Sequence, residues 1–399
     1  MVTLEKIYQA AYILKDAARK TDLIQARKLT AEPNLYLKTE NLQVTGSFKL
    51  RGAYYKISQL TPEQRAAGII ACSAGNHAQG VALAATKMGI RSVVCMPDGA
   101  PISKVEATKA LGAEVCLVPE TYDDAYEKAL QLQRETGATF IHPFDDDEVI
   151  AGQGTIGLEI LDQLDGVEAV VVPVGGGGLI SGVAYAIKSL RPSVKVYGVQ
   201  AERAGAIAQS FHSDHCVTLG SVATFADGIA VKRPGDTTLA MIRKYVDDVV
   251  TVSEDEIATA ILALMEKEKL VTEGAGAVSV AAVMFGKVPV QGKKTVCILS
   301  GGNVDVNILS RVITRGLVST GRSCQLRIAL EDKPGQLLGL SRIISDCGGN
   351  VISVHYEQSD PNMAINSCFI NIGMETRDFA QIEQIRTGLT NAGFQIVSN

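Results

Sequence analysis

The run Ala169-Val170-Val171-Val172-Pro173-Val174-Gly175-Gly176-Gly177-Gly178-Leu179 decides how the chain folds. It opens a charge-free window from Ala169 to Ile187, as long as a short membrane span. Pro173 and four consecutive glycines interrupt it, so the window divides into a buried strand, a turn and the start of a helix. An unbroken apolar strand is covered on both faces, as in a parallel sheet enclosed by helices. The turn also needs a reason, because four adjacent glycines are costly in backbone entropy. Amides in such a turn can point inward as a nest, and the helix start adds partial positive charge. A phosphate fits there. No Gly-Lys-Ser/Thr follows, which excludes a Walker A loop.

Outward from this run, strand and helix patterns alternate. Residues 4–19 carry one apolar helical face, and Leu35 to Leu37 is a short strand. Strands are expected at 69–72, 92–96, 115–118, 194–199, 249–252 and 295–299. Helices are expected at 49–57, 77–88, 103–111 and 122–135 and from about 306. Ser253 to Glu256 forms a capping box for a helix through Met265. This is the pattern of an α/β domain with parallel sheets. Sites in such sheets collect in loops at the carboxyl ends of strands. Gly152-Gln153-Gly154-Thr155-Ile156-Gly157 matches a dinucleotide fingerprint, but Asp145-Asp146-Asp147-Glu148 precedes it instead of an apolar strand. It is expected to serve helix–sheet packing.

Composition bounds the function. The chain has 399 residues, is 46% apolar and 20% charged, and carries a net charge of −5. More than one domain is expected, and neither nucleic acid nor a membrane surface is suggested as a partner. The eight cysteines form no CxxC pair, which points to buried thiols in a reducing compartment, and a cytoplasmic location is expected.

Thr45-Gly46-Ser47-Phe48-Lys49-Leu50-Arg51-Gly52 places a lysine at the start of a helix, where the backbone field disfavours a cation. Desolvated lysine loses its proton readily and becomes a nucleophile and base. Alone, Lys49 is better read as a surface lysine, until other stretches supply a cofactor. Ser73-Ala74-Gly75-Asn76-His77 opens a helix after a strand. Its amides can hold a carboxylate and Asn76 can bond a hydroxyl, although Ser73 or Asn76 can also simply cap the helix. His77 is read as a packed or capping residue. Ser300-Gly301-Gly302-Asn303 follows the last strand. Ser300 can face a pyridine nitrogen, or the segment is an ordinary turn.

Together these pieces describe one ligand, with a phosphate, an aldehyde, a hydroxyl and a ring nitrogen: pyridoxal phosphate. The chain resembles the fold-type II, tryptophan synthase β-like pyridoxal-phosphate enzymes, and among them the threonine dehydratases (threonine ammonia-lyases). The segments TGSFKLRGA, ACSAGNHAQGV, VIAGQGTIGLEI, VPVGGGGLISG, VTEGAGA and ILSGGN carry the likeness. The resemblance implies a catalytic domain of two subdomains over residues 1–320. It implies that Lys49 bonds the cofactor aldehyde and later takes the substrate's Cα proton. Asn76 then meets the ring hydroxyl, Gly175, Gly176, Gly177, Gly178 and Leu179 hold the phosphate, and Ser300 meets the ring nitrogen. Ser73, Ala74, Gly75, Asn76 and His77 line the substrate. The implied reaction is deamination of L-threonine to 2-oxobutanoate and ammonia, with L-serine as a slower substrate.

Related serine racemases carry a serine where this chain has Ala74, so racemisation should be poor. They also use a glutamate with a downstream acidic residue for a divalent metal. Glu202 matches the first, but 204–209 offers no carboxylate for the second, so no complete metal site is expected. β-Replacement of the cysteine synthase type is the competing enzymatic reading. A protein that kept the fold but lost activity is the third.

Near residue 320 the pattern changes to strand (325–330), turn, helix (337–347), strand (351–357), turn, strand (368–374), helix (379–389) and strand (394–397). That is a ferredoxin-like βαββαβ plan. It resembles an ACT domain over 325–399, with Asp332-Lys333-Pro334-Gly335-Gln336-Leu337 as one mark. The resemblance implies regulation by an amino acid such as isoleucine or valine, and a homodimer or homotetramer.

Overall fold

The computed structural model describes residues 1–29, 34–358 and 366–397. The chain forms two compact units, Met1–Leu309 and Ser310–Asn399, dividing inside the helix Val306–Ser319. The second unit thus takes in most of that helix, from Ser310 onward, whereas the sequence pattern changes only near residue 320.

Two sheets build the first unit. The larger has six strands, in the order Leu23–Gln25, Leu35–Lys38, Thr295–Ile298, Ala169–Pro173, Lys195–Ala201 and Asp248–Val252. All neighbours run parallel except the Leu23–Gln25 edge, which is antiparallel. Every residue of Ala169–Pro173 is buried, as its unbroken apolar run requires. The smaller sheet is parallel throughout, in the order Glu114–Val118, Ser92–Pro97, Ile69–Cys72 and Thr139–Phe140. Cys72, Cys95 and Cys116 are register partners across three of its strands. The edge strands Leu23–Gln25 and Thr139–Phe140 were not anticipated, because three and two residues are too short to show a period. The first helix stops at Ile13 and continues as a 3₁₀ turn, Leu14–Asp16, short of the expected residue 19. Among the described residues no helix is long and apolar enough to cross a membrane.

The GxGxxG match lies inside the helix Asp147–Gln163, and Asp146 caps that helix by accepting from the Glu148 and Val149 amides. A Cβ at Gly152 would lie 2.6 Å from the Arg51 carbonyl oxygen, and one at Gly154 would lie 3.0 Å from the Gly182 carbonyl oxygen. These glycines let the helix meet Lys49–Ser58 and Gly178–Leu190 backbone to backbone. The expected helix–sheet packing is therefore corrected to helix–helix packing.

Beneath the Lys49–Ser58 helix lies a buried group of charges. Arg51 bonds both oxygens of Glu40, at 2.8 and 2.7 Å, and both oxygens of Glu159, at 2.6 and 3.0 Å. Lys38 donates to Glu159, Gln163 and the Thr21 carbonyl at 2.6–2.8 Å. Burial disfavours the Glu40 carboxylate, but the Arg51 guanidinium outweighs it and holds that carboxyl below its ordinary range. Burial lowers the Lys38 amine despite Glu159 and Glu40.

The second unit holds a four-stranded antiparallel sheet, in the order Asn350–Glu357, Ser367–Glu375, Ser323–Glu331 and Gln395–Val397. The helices Gln336–Asp346 and Phe379–Asn391 complete the βαββαβ order. Their core includes Leu326, Ile328, Leu340, Ile344, Ile370 and Ile372. The turn expected between the second and third of these strands falls on 359–365, outside the described residues.

Removing the guanidinium would leave two buried carboxylates with one remaining cation. Arg51→Ala is expected to destabilise the protein by about 3–5 kcal/mol, read as a lower urea midpoint. A change under about 1 kcal/mol would show that the network does not hold the helix.

Candidate active site

Lys49 is placed by a backbone stitch between two distant loops. Ser47 forms an antiparallel bridge with Gly301, the Phe48 amide donates to the Ser300 carbonyl at 3.1 Å, and the Gly302 amide donates to the Gly46 carbonyl at 2.8 Å. Gly46 sits at φ +70°, and a Cβ there would lie 2.2 Å from the Asn303 Oδ1, so glycine is required. Lys49 borders a cavity and is only half-buried as a residue, but its amine is ringed by protein. That burial pushes the amine down to about 8, against the opposing charge of Glu273. Its Nζ donates to the Pro143 carbonyl at 2.8 Å and lies 5.4 Å from the centre of the Phe48 ring.

Asn76 opens the helix Asn76–Lys87, and Gly75 precedes it without a side-chain cap. Its Oδ1 accepts from the Asn303 Nδ2 at 2.8 Å, and its Nδ2 donates to the Glu273 Oε1 at 2.6 Å. Asn303 also donates to the Thr45 carbonyl at 2.7 Å, and the Glu273 amide donates to the Gly301 carbonyl at 3.1 Å. One chain of hydrogen bonds thus joins four of the motifs. Glu273 was not singled out from the sequence. The signal was available, as it is the one charged residue in the Val271–Ala277 stretch. Burial, aided by the Asp227 charge, pushes its carboxyl up to about 8.

The tetraglycine turn leads into the helix Gly178–Leu190. Among the described residues, the amides of Gly175, Gly176, Gly177, Gly178 and Leu179 donate to no backbone carbonyl. Gly177 sits at φ +98°, and a Cβ at Gly176 would lie 2.4 Å from the Phe144 ring. Side chains are thus excluded and a row of unpartnered amides faces the cavity. That donor set suits an anion such as a phosphate.

The cavity is lined by Lys49, Asn76, Gly175 to Gly178, Leu179, Glu273 and Ser300, with Phe48 and Phe144 among its walls. The structure therefore brings together every residue expected at the cofactor. Ser300 is buried, and its Oγ donates to the Ala275 carbonyl at 3.3 Å. Ser73, Ala74, Gly75 and His77 lie in the adjoining turn and do not line the cavity itself. The Ser73 Oγ accepts from the Gly75 amide at 3.2 Å, and Ala74 packs against the apolar cluster containing Ala78, Val94 and Met96. His77 is 3% exposed, and its Nε2 donates to the Ile141 carbonyl at 2.9 Å. Burial, with the Lys49 charge, pushes it down to about 3, so it is a neutral packed residue. Among the described residues no group of three or more His, Cys, Asp or Glu is placed to hold a metal ion.

This geometry coincides with a sequence relationship. A family model described as "pyridoxal-phosphate dependent enzyme" matches residues 14–301. An L-threonine ammonia-lyase of Thermotoga maritima is 50% identical over 398 residues, 99% of either chain. The catabolic L-threonine dehydratase of Escherichia coli strain K12 is 47% identical over 315 residues, 78% of this chain and 96% of its own length. Among solved structures, the processed form of threonine deaminase isoform 2 from Solanum lycopersicum superposes with a TM-score of 0.75 at 39% identity. It covers 79% of this chain and 89% of that one. With a lysine of lowered basicity on the same cavity as the tetraglycine turn, and a family match over most of its length, the chain belongs to the pyridoxal-phosphate dependent enzymes.

Proposed function

We propose that this chain is a lyase that deaminates L-threonine to 2-oxobutanoate and ammonia, with L-serine to pyruvate as a side activity. The observation that carries the reading is the gathering of Lys49, Asn76, Gly175 to Gly178, Leu179 and Ser300 around one cavity. The names of the similar proteins, threonine ammonia-lyase, dehydratase and deaminase, support the choice of substrate.

Bound pyridoxal phosphate supplies the electron sink that makes the substrate's Cα–H acidic. The amides of Gly175 to Leu179 would hold its phosphate, Lys49 its aldehyde, Asn76 its ring oxygen and Ser300 its ring nitrogen. Displaced from the aldehyde by the substrate's own amine, Lys49 would be free to act as the base at Cα, and an amine poised near pH 8 can both take and return a proton. Ser300 is a neutral partner, which withdraws less charge from the ring than a carboxylate–pyridinium pair and favours elimination. The substrate carboxylate is met by the turn from Ser73 to His77, where Gly75 leaves the first helical amides uncapped. Ala74 cannot carry a proton, so the face opposite Lys49 lacks an acid at that position.

The catalytic domain is taken as 1–320 and the tail, 325–399, as an ACT domain that binds isoleucine or valine. A groove of about 740 Å³ in the tail supports this, with Glu331, Gln336, Phe369 and Phe394 along it and the start of the Gln336–Asp346 helix at one side. The protein is taken as cytoplasmic and as a homodimer or homotetramer.

Borohydride reduction of the protein supplied with cofactor, followed by peptide mapping, is expected to label Lys49. Lys49→Ala should lower 2-oxo-acid production from threonine by roughly a hundred- to ten-thousand-fold. A label on another residue would overturn the assignment. Ala74→Ser is expected to raise D-serine formation from L-serine on the order of tenfold or more, read by chiral chromatography. No gain would remove the argument from Ala74. Isoleucine or valine should alter threonine turnover by the full chain, and deleting 321–399 should abolish that response while leaving turnover. A response that survives the deletion places the effector elsewhere.

A further inference from the structure

The cavity holds an ionisable group to which the proposed reaction gives no task. We propose that Glu273 is a positioning residue: its Oε1 holds the Asn76 amide nitrogen so that the remaining N–H is presented to the cavity, at the edge that meets the cofactor's ring oxygen. This rests on the pyridoxal-phosphate reading above.

The orientation of Asn76 follows from its neighbours. The Thr45 carbonyl can only accept, so the Asn303 atom 2.7 Å from it is the amide nitrogen. The same nitrogen lies 2.8 Å from Asn76, which makes that Asn76 atom its oxygen. The Asn76 nitrogen is thereby turned toward the Glu273 Oε1, 2.6 Å away. One N–H is used there, and the second is left for an acceptor in the cavity.

The surroundings of Glu273 are built for an uncharged carboxyl. It is 4% exposed, and among the described residues it has no ion-pair partner. Room for it depends on glycine, since a Cβ on Gly301 would lie 2.4 Å from its Oε1 and one on Gly228 3.1 Å. The charges that bear on it are Asp227, which favours the protonated form, and Lys104 and Lys49, which oppose it. Burial is the largest influence, and the group titrates at about 8. Below that pH the acid is neutral and does not repel a negative ring oxygen. Above it the ionised carboxylate does.

The test compares cofactor affinity by equilibrium dialysis in the full-length wild type, Glu273→Gln and Glu273→Ala from pH 7 to pH 9. Borohydride labelling of wild-type Lys49 serves as the reference. Gln has the same shape and cannot ionise. Lys49 feels the Glu273 charge, so its titration is followed in all three proteins and the affinities are compared after correction for its protonated fraction. The Glu273→Gln to wild-type ratio is expected to rise by about tenfold between pH 7 and pH 9. Glu273→Ala, which leaves Asn76 held by Asn303 alone, is expected to bind about tenfold more weakly at pH 7. A ratio that stays flat with pH overturns the proposal, as does an alanine variant that binds like the wild type. If Glu273→Ala does not fold, the glutamine ratio alone decides. If Lys49 is not labelled in the wild type, the cofactor reading falls and this proposal with it.

Discussion

The Arg51 guanidinium, clamped between Glu40 and Glu159, is the contact on which the site depends. It lies two residues beyond Lys49 on the same helix, so whatever fixes one fixes the start of the other. The clamp ties that helix to the segment after the Leu35–Lys38 strand and to the helix Asp147–Gln163. Buried ion pairs add little net stability over a well-packed apolar substitute. What this one supplies is direction. Apolar side chains can slide past one another, whereas a planar guanidinium making four bonds to two carboxylates admits one arrangement.

Among the described residues, Lys49 and Glu273 are the ionisable ones that line the cavity. Burial drives them toward each other: the amine falls and the carboxyl rises, both to about 8. Once the amine is committed to a carbonyl, its positive charge no longer supports a carboxylate at Glu273. The tetraglycine turn offers an anion the partial charge of backbone amides, without a titrating side chain.

Much of this was legible in the sequence because it follows from local pattern. The unbroken apolar run at 169–174, the tetraglycine turn and the alternation of periods place the larger sheet and its loops. Lys49, Asn76 and Ser300 each stood at the end of an expected strand or the start of a helix, and loops at the carboxyl ends of parallel strands converge. What local pattern could not carry were pairings between distant segments. The partnership of Gly46 with Asn303, and of Asn76 with Glu273, spans most of the catalytic unit. Arg51 sat in a quoted motif, but its buried carboxylates come from residues 40 and 159. The glycines at 152, 154 and 157 suggested packing, yet only the three-dimensional arrangement shows that the neighbours are helices. His77 was read as packed, and its bond to the Ile141 carbonyl leaves it in that place.

The row formed by Cys72, Cys95 and Cys116 has a consequence for chemical labelling. Burial pushes the thiols of Cys72 and Cys95 up to about 12, so at neutral pH almost none is present as the reactive thiolate. Lys49 moves the opposite way. A soft electrophile small enough to enter thus passes Cys72 and Cys95 by, whereas a carbonyl compound finds at Lys49 a larger share of free amine than an ordinary lysine offers at the same pH.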